Sequence, residues 1–292
     1  MRTKHLKLAA LLLLATLNSQ LSTLHAQGSL TPPGAPAPTM KSLAQIEPRT
    51  AIASVPFTIS TPGSYYLTTN VTATVSNAIV ITANGVTLDL GGFTISSTVA
   101  NAANGGTAIL LSGSLSDITV LNGHIRGGVT NNGSNVYSGS GFGFGIYYSI
   151  GQPLNTRVNG VSAAGCLYSG IFLGIGDSTV VESCTVRTVG SSGIVASTIK
   201  SSVAVDCGGS AIYGDQVANC RGESTGSGIG VLATATAQNC YGYSGSGSGL
   251  SATIASFCVG FQTGGTAINA TVATGCYASA GTNIITYKYN MP

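Results

Sequence analysis

The stretch "QVANCRGESTGSGIGVLATATAQNC", Gln216–Cys240, decides how the chain is read. Two cysteines close it, each preceded by an asparagine, Asn219 and Asn239. Three residues before each cysteine stands an apolar residue, Val217 or Ala237, and two residues after it a glycine, Gly222 or Gly242. Asparagine tolerates left-handed backbone better than most residues. Each unit therefore reads as a strand, a sharp corner just before Cys, and a second short strand. Side chains alternate along a strand, so Cys points in, the next residue out and the one after it in. Gly228-Ile229 reads as the start of the following strand.

Outward from this stretch, cysteines stand at 166, 184, 207, 220, 240, 258 and 276. Apolar residues precede all seven by three positions, and the residues just before them are mostly Gly, Ser, Asp or Asn. A small residue followed by an aliphatic also recurs, from Ala78-Ile79 through Gly145-Ile146, Gly193-Ile194 and Gly249-Leu250 to Asn283-Ile284. Each unit is too small to bury its own apolar face, so neighbours must stack. The pattern predicts an all-β fold, a stacked parallel coil of about ten rungs. One cysteine per coil would stack sulfurs about 4.8 Å apart in a buried ladder. Two other readings compete with the ladder. Export would permit a disulfide or two, although seven is odd and register-matched neighbours lie side by side. A metal site wants paired ligands, and no two of these cysteines are closer than 13 residues.

Composition agrees with tightly stacked strands. Only 7% of the 292 residues are charged, Gly numbers 41 and Trp is absent. Residues 1–26 read as a secretory signal peptide: Arg2, Lys4 and Lys7 precede the apolar run Leu8–Leu17, with a cut expected near Ala26. The formal charge of +3 comes from those three residues alone. What remains balances 8 basic against 8 acidic residues, so nucleic acid is a poor partner. No later apolar run is long enough to span a membrane. Residues 27–50 read as a Pro/Ala-rich linker, with Thr39–Ile46 able to cap a solenoid, and 51–292 as the β-helix domain.

The segments "PFTISTPGSYYLTTNV", "NAIVITANGVTLDLGGFTIS", "GTAILLSG" and "DITVLNGHIRGG", with the Asn-Cys…Gly-Ile units after them, resemble right-handed parallel β-helix proteins of the pectate-lyase-like superfamily. The resemblance covers about Pro56–Tyr289 and is closest to secreted bacterial members of unassigned activity. It implies the fold. It leaves function open, because the superfamily holds lyases, hydrolases, epimerases and non-catalytic adhesins. The acidic calcium cluster, the Asp-Asp pair, Gly-His-Gly and Arg-Ile-Lys of its enzymes have no match in this chain.

Two sets of residues are candidates for function. Of the 16 charged residues beyond the leader, eight lie between Asp177 and Glu223. A polysaccharide lyase acting on a uronate polymer would use Lys200 or Arg221 with Asp206 and Asp215; such enzymes need a basic residue as base and often Ca²⁺ held by acidic residues, and Ca²⁺ enters only under that reading. No other cofactor or metal is expected. His124 and Arg126 in "NGHIRG" read first as part of a Gly-bounded strand. The second set is the outward positions after each cysteine. Stacking would align Arg221, Tyr241 and Tyr277 in one column and Arg187, Glu223, Tyr243 and Phe261 in the next. Aromatic rows bind flat sugar faces and Arg binds uronates, so a polysaccharide or cell-surface glycan is the expected partner. The leading expectation is an exported, non-catalytic glycan-binding or surface structural protein. The Gly/Ser-rich excursion 127–145, with Tyr137, Phe142 and Phe144, has aromatics to pack with and could rim a site.

Overall fold

Short runs of β-branched and aromatic residues, cut by Gly, Asn and Ser, form extended strands. These strands pair with strands one coil earlier. The computed structural model describes residues 48–176 and 178–291. Twenty-four strands join in one sheet, parallel throughout, wound as a right-handed β-helix. The leader, nearly all of the linker, the Thr39–Ile46 cap and Asp177 lie outside the described residues.

Each coil visits three faces in turn. The first carries strands such as Ile79–Ile81, Phe144–Ile150 and Ile194–Val195. The second carries Val86–Asp89, Thr179–Glu182 and Thr198–Lys200. The third carries Thr94–Ser97, Thr185–Val189, Arg221–Ser224 and Tyr241–Ser244. Register is continuous along the first face, where Phe57, Ile79, Ile109, Ile146, Ile171, Ile194, Ile212, Val231, Leu250 and Ile268 stack in order. Every member after Phe57 is buried, so one apolar column runs through the molecule.

Two predicted registers are corrected. Val231, not Ile229, occupies the column above Ile212, and Asn283, not Ile284, follows Ile268. Gly230 can precede Val231 because the walls are close there: a Cβ on Gly230 would lie 2.4 Å from the Tyr243 nitrogen. The single seven-cysteine ladder also divides. Cys184, Cys220, Cys240, Cys258 and Cys276 share one interior column, with Ser202 on the rung between the first two. Cys166 and Cys207 stand in another column, with Val189 between them and Ser224 and Ser244 after them. All seven are buried free thiols. Burial pushes Cys166 up to about 12 and Cys184 to about 11, so both stay protonated. The Cα register places neighbours side by side, and Cys258 N–H donates to the Cys276 sulfur at 3.4 Å.

The corner before the main cysteine column is left-handed on rung after rung. Asn122, Gly160, Ser183, Ser201, Asn219, Asn239, Phe257 and Gly275 have φ of 53, 64, 53, 48, 55, 51, 54 and 61°. Gly and Asn take this conformation readily, whereas a bulky residue such as Phe257 is strained in it. The excursion after Arg126 is an antiparallel hairpin, Gly128–Asn131 with Tyr137–Ser140. It docks on a ladder of bulges at Gly165, Thr188 and Asp206, whose φ are 70, 54 and 55°.

Candidate functional site

The third face presents the predicted columns. Arg221 registers with Tyr241, Tyr241 with Val259 and Val259 with Tyr277. In the next outward column Glu223 registers with Tyr243 and Tyr243 with Phe261, whose rings lie 5.5 Å apart. Arg187 registers with Val205. One residue is lost at the bulge between Ala204 and Cys207, so the Arg187 column reaches Glu223 across an irregularity.

Charge on this face is locally balanced. The Arg221 Nε donates to Glu223 Oε1 at 2.7 Å, and the guanidinium carbon sits 5.5 Å from the Tyr241 ring centroid. Arg presents five N–H donors in a fork, so this pairing leaves others aimed at solvent. Beside the column, an open groove of about 460 Å³ runs along the left-handed corner. Arg221, Tyr241 and Val259 form one wall, and Asn219, Asn239 and Phe257 form the other. Asn239 Nδ2 donates to Asn219 Oδ1 at 3.2 Å, and Phe257 is 62% exposed. The three corner residues were not among the predicted site residues. Their signal was their place before Cys, where they had been read only as turn formers. Cys220 and Cys240 floor the groove and are almost fully buried.

The catalytic grouping of Lys200, Asp206, Asp215 and Arg221 is not assembled. Lys200 ends a second-face strand beside Glu182. Asp215 lies at the corner of the first and second faces, accepting from Gly176 N–H at 2.8 Å and Thr234 Oγ1 at 2.5 Å. Arg221 is on the third face. Asp206 is covered by the hairpin, where Oδ1 accepts from Asn131 Nδ2 at 2.8 Å and Tyr137 Oη at 2.9 Å, and Oδ2 from Thr188 Oγ1 at 2.7 Å. Burial acts to raise its pKa, but these three bonds and the Arg187 charge outweigh it and hold the carboxyl below the usual range. Asp206 is thus an anchor for the hairpin. Tyr137 also meets Thr225 Oγ1 at 2.7 Å, and its ring lies over Gly190 and Gly208.

His124 is exposed on the same column as Arg221, four rungs earlier, or about 19 Å away. Among the described residues no three His, Cys, Asp or Glu side chains are grouped to hold a metal ion. No helix there is long and apolar enough to cross a membrane.

The site and fold define a parallel β-helix with polar-aromatic outer rows. No family model matches the sequence, and no curated protein does. A solved structure, ORF18 of Geobacillus virus E2, is similar at a TM-score of 0.42 and 10% identity. That match covers 83% of this chain and 50% of the viral protein, so the chain spans half the length of that protein.

Proposed function

We propose that this is an exported, non-catalytic β-helix protein of the pectate-lyase-like kind that binds a glycan chain along its third face. One observation carries the reading. Arg221 and Tyr241 stand on adjacent rungs in register, with Tyr277 farther along the column, and form one wall of an open groove whose other wall is Asn219, Asn239 and Phe257. Ring faces pack against the apolar faces of sugars. Asn side chains and the unpaired Arg N–H groups supply donors and acceptors for hydroxyl or carboxylate groups. The basic, then apolar, leader supports export. The scattering of Lys200, Asp206 and Asp215 away from Arg221 favours binding over cleavage, because a lyase needs base and carboxylate partner within reach of one sugar.

The test is affinity electrophoresis of the purified protein in gels containing polygalacturonate, with the polymer assayed afterwards for unsaturated ends. Retardation by an uncut polymer, weakened roughly tenfold by Arg221→Ala or Tyr241→Ala, is the expected result. Formation of unsaturated product, or retardation indifferent to both substitutions, overturns the third-face reading.

A further inference from the structure

A second aromatic assembly lies on the first face, away from the groove. The Phe144 and Tyr147 rings stack 4.2 Å apart at 21°, and Tyr168 approaches Phe144 at 4.9 Å. Phe172, one coil on, stands 5.8 Å from Tyr147 and 5.9 Å from Tyr148. Register explains the grouping. Tyr147 occupies an outward position and pairs with Phe172 directly above it, with Leu110 below and Val195 beyond. Tyr148, in register with Leu111, stands beside a bulge and packs partly against the core, with its ring nearly parallel to Tyr147 at 13°. Tyr168, 40% exposed, forms the outer edge.

The chemistry of this face is distinct. The first-face parts of its strands, from Phe57–Ile59 to the last one, carry no Asp, Glu, Lys or Arg; Asp215 stands where the strand Ile212–Ala218 turns onto the second face. The hydroxyls of Tyr147, Tyr148 and Tyr168 have no hydrogen-bond partner among the described residues. A membrane surface or acidic ligand would call for basic residues that the face lacks. Flat rings with free hydroxyls match a ligand whose ring faces are apolar, whose rims are hydroxylated and whose charge is zero.

We propose that the Phe144, Tyr147, Tyr148, Tyr168 and Phe172 platform is a second binding site, which takes an uncharged polysaccharide by ring stacking independently of the third-face groove. Five clustered rings offer more than one stacking surface, so a chain is held better than a single sugar. Tyr168, the exposed ring of the five, is the edge a chain meets first, and Tyr147 holds the other rings in place by stacking.

The experiment is affinity electrophoresis with hydroxyethyl cellulose and galactomannan as uncharged probes and polygalacturonate as the acidic one. Tyr147→Ala, Tyr168→Ala and Arg221→Ala are compared with wild type. Circular dichroism checks that each variant is folded, and the edge variant Tyr168→Ala keeps the test open should Tyr147→Ala misfold. At least one uncharged polymer should retard the wild type, with Tyr147→Ala or Tyr168→Ala weakening this roughly threefold to tenfold and Arg221→Ala leaving it unchanged. Retardation by neither uncharged polymer, or retardation equal in wild type and both tyrosine variants, overturns the proposal. Binding to polygalacturonate alone, lost in Arg221→Ala, overturns it while leaving the third-face groove in place. A dimer seen by sedimentation and lost in Tyr147→Ala would assign the platform to a second copy of the chain and equally overturn it.

Discussion

Between Ile52 and Val120 the interior is filled mostly by Ile, Leu and Val, whereas between Ala233 and Cys276 it is filled largely by Ala and Cys. The early coil from Ile79 to Ile109 takes 30 residues and the late one from Val231 to Leu250 takes 19. These differences have one physical cause. Large branched side chains hold the walls of the helix apart, and the longer perimeter leaves chain for excursions such as the docked hairpin. In the late coils glycines let opposite walls touch: a Cβ on Gly222 would lie 2.0 Å from the Gly230 oxygen, and one on Gly260 2.2 Å from the Ala267 oxygen. The early half is stabilised by volume and the late half by close backbone approach.

Four substitutions would break or sharpen that contrast. Ile109→Ala should cost about 4 kcal/mol by opening a cavity between Ile79 and Ile146, while Cys240→Ala in the late half should cost only about 1 kcal/mol. Urea midpoints measure both, and equal losses would mean the halves do not differ in this way. Gly242→Ala should cost about 3 kcal/mol, because the added Cβ meets the Gly249 oxygen at 2.1 Å and backbone cannot yield cheaply. Gly264→Ala, with nothing within 4 Å, is the matched control and should change thermal stability by less than about 0.5 kcal/mol.

A further small effect concerns the hairpin that only the wide coils can spare. Tyr137→Phe removes the hydroxyl shared by Asp206 and Thr225 and should cost about 1 kcal/mol. Burial is the main cause that pushes Tyr137 up to about 12, from an ordinary value of 10.0. The protonated phenol is therefore favoured in the folded state. Its contribution is complete below pH 10 and is lost as pH rises toward 12. A spectrophotometric tyrosine titration of the wild type should contain a late component that Tyr137→Phe removes. A wild-type titration without one would show that the hairpin does not bury this phenol.

What was legible in the sequence follows the same division. In the short coils the residue before Cys, the inward Cys and the outward Arg221 or Tyr241 are separated by one or two positions, so alternation alone aligned them. The cysteine columns were misread although the spacing carried a signal. Cys184 to Cys207 is 23 residues and Cys207 to Cys220 is 13, departing from 18 by five in opposite directions. That is what a residue displaced to another column produces. The pairing of Tyr147 with Phe172 follows from the recurring aliphatic that precedes each, whereas Tyr148 and Tyr168 join the platform through a bulge and a loop that no repeat marks. The Tyr137–Asp206 contact joins residues 69 apart, and no local pattern announces such a pairing.

The repeated left-handed corner has an evolutionary consequence. Val231 and Leu250 occupy equivalent places, each preceded by a glycine. Excising residues 231–249 would join Gly230 to Leu250 and remove one rung without disturbing the phase of the next. Gain or loss of such a segment changes the gene by a whole coil and leaves every interior column continuous. Descendants of this chain are therefore expected to vary in length in steps of about 18 or 19 residues at the narrow end, and by loop insertion at the wide one.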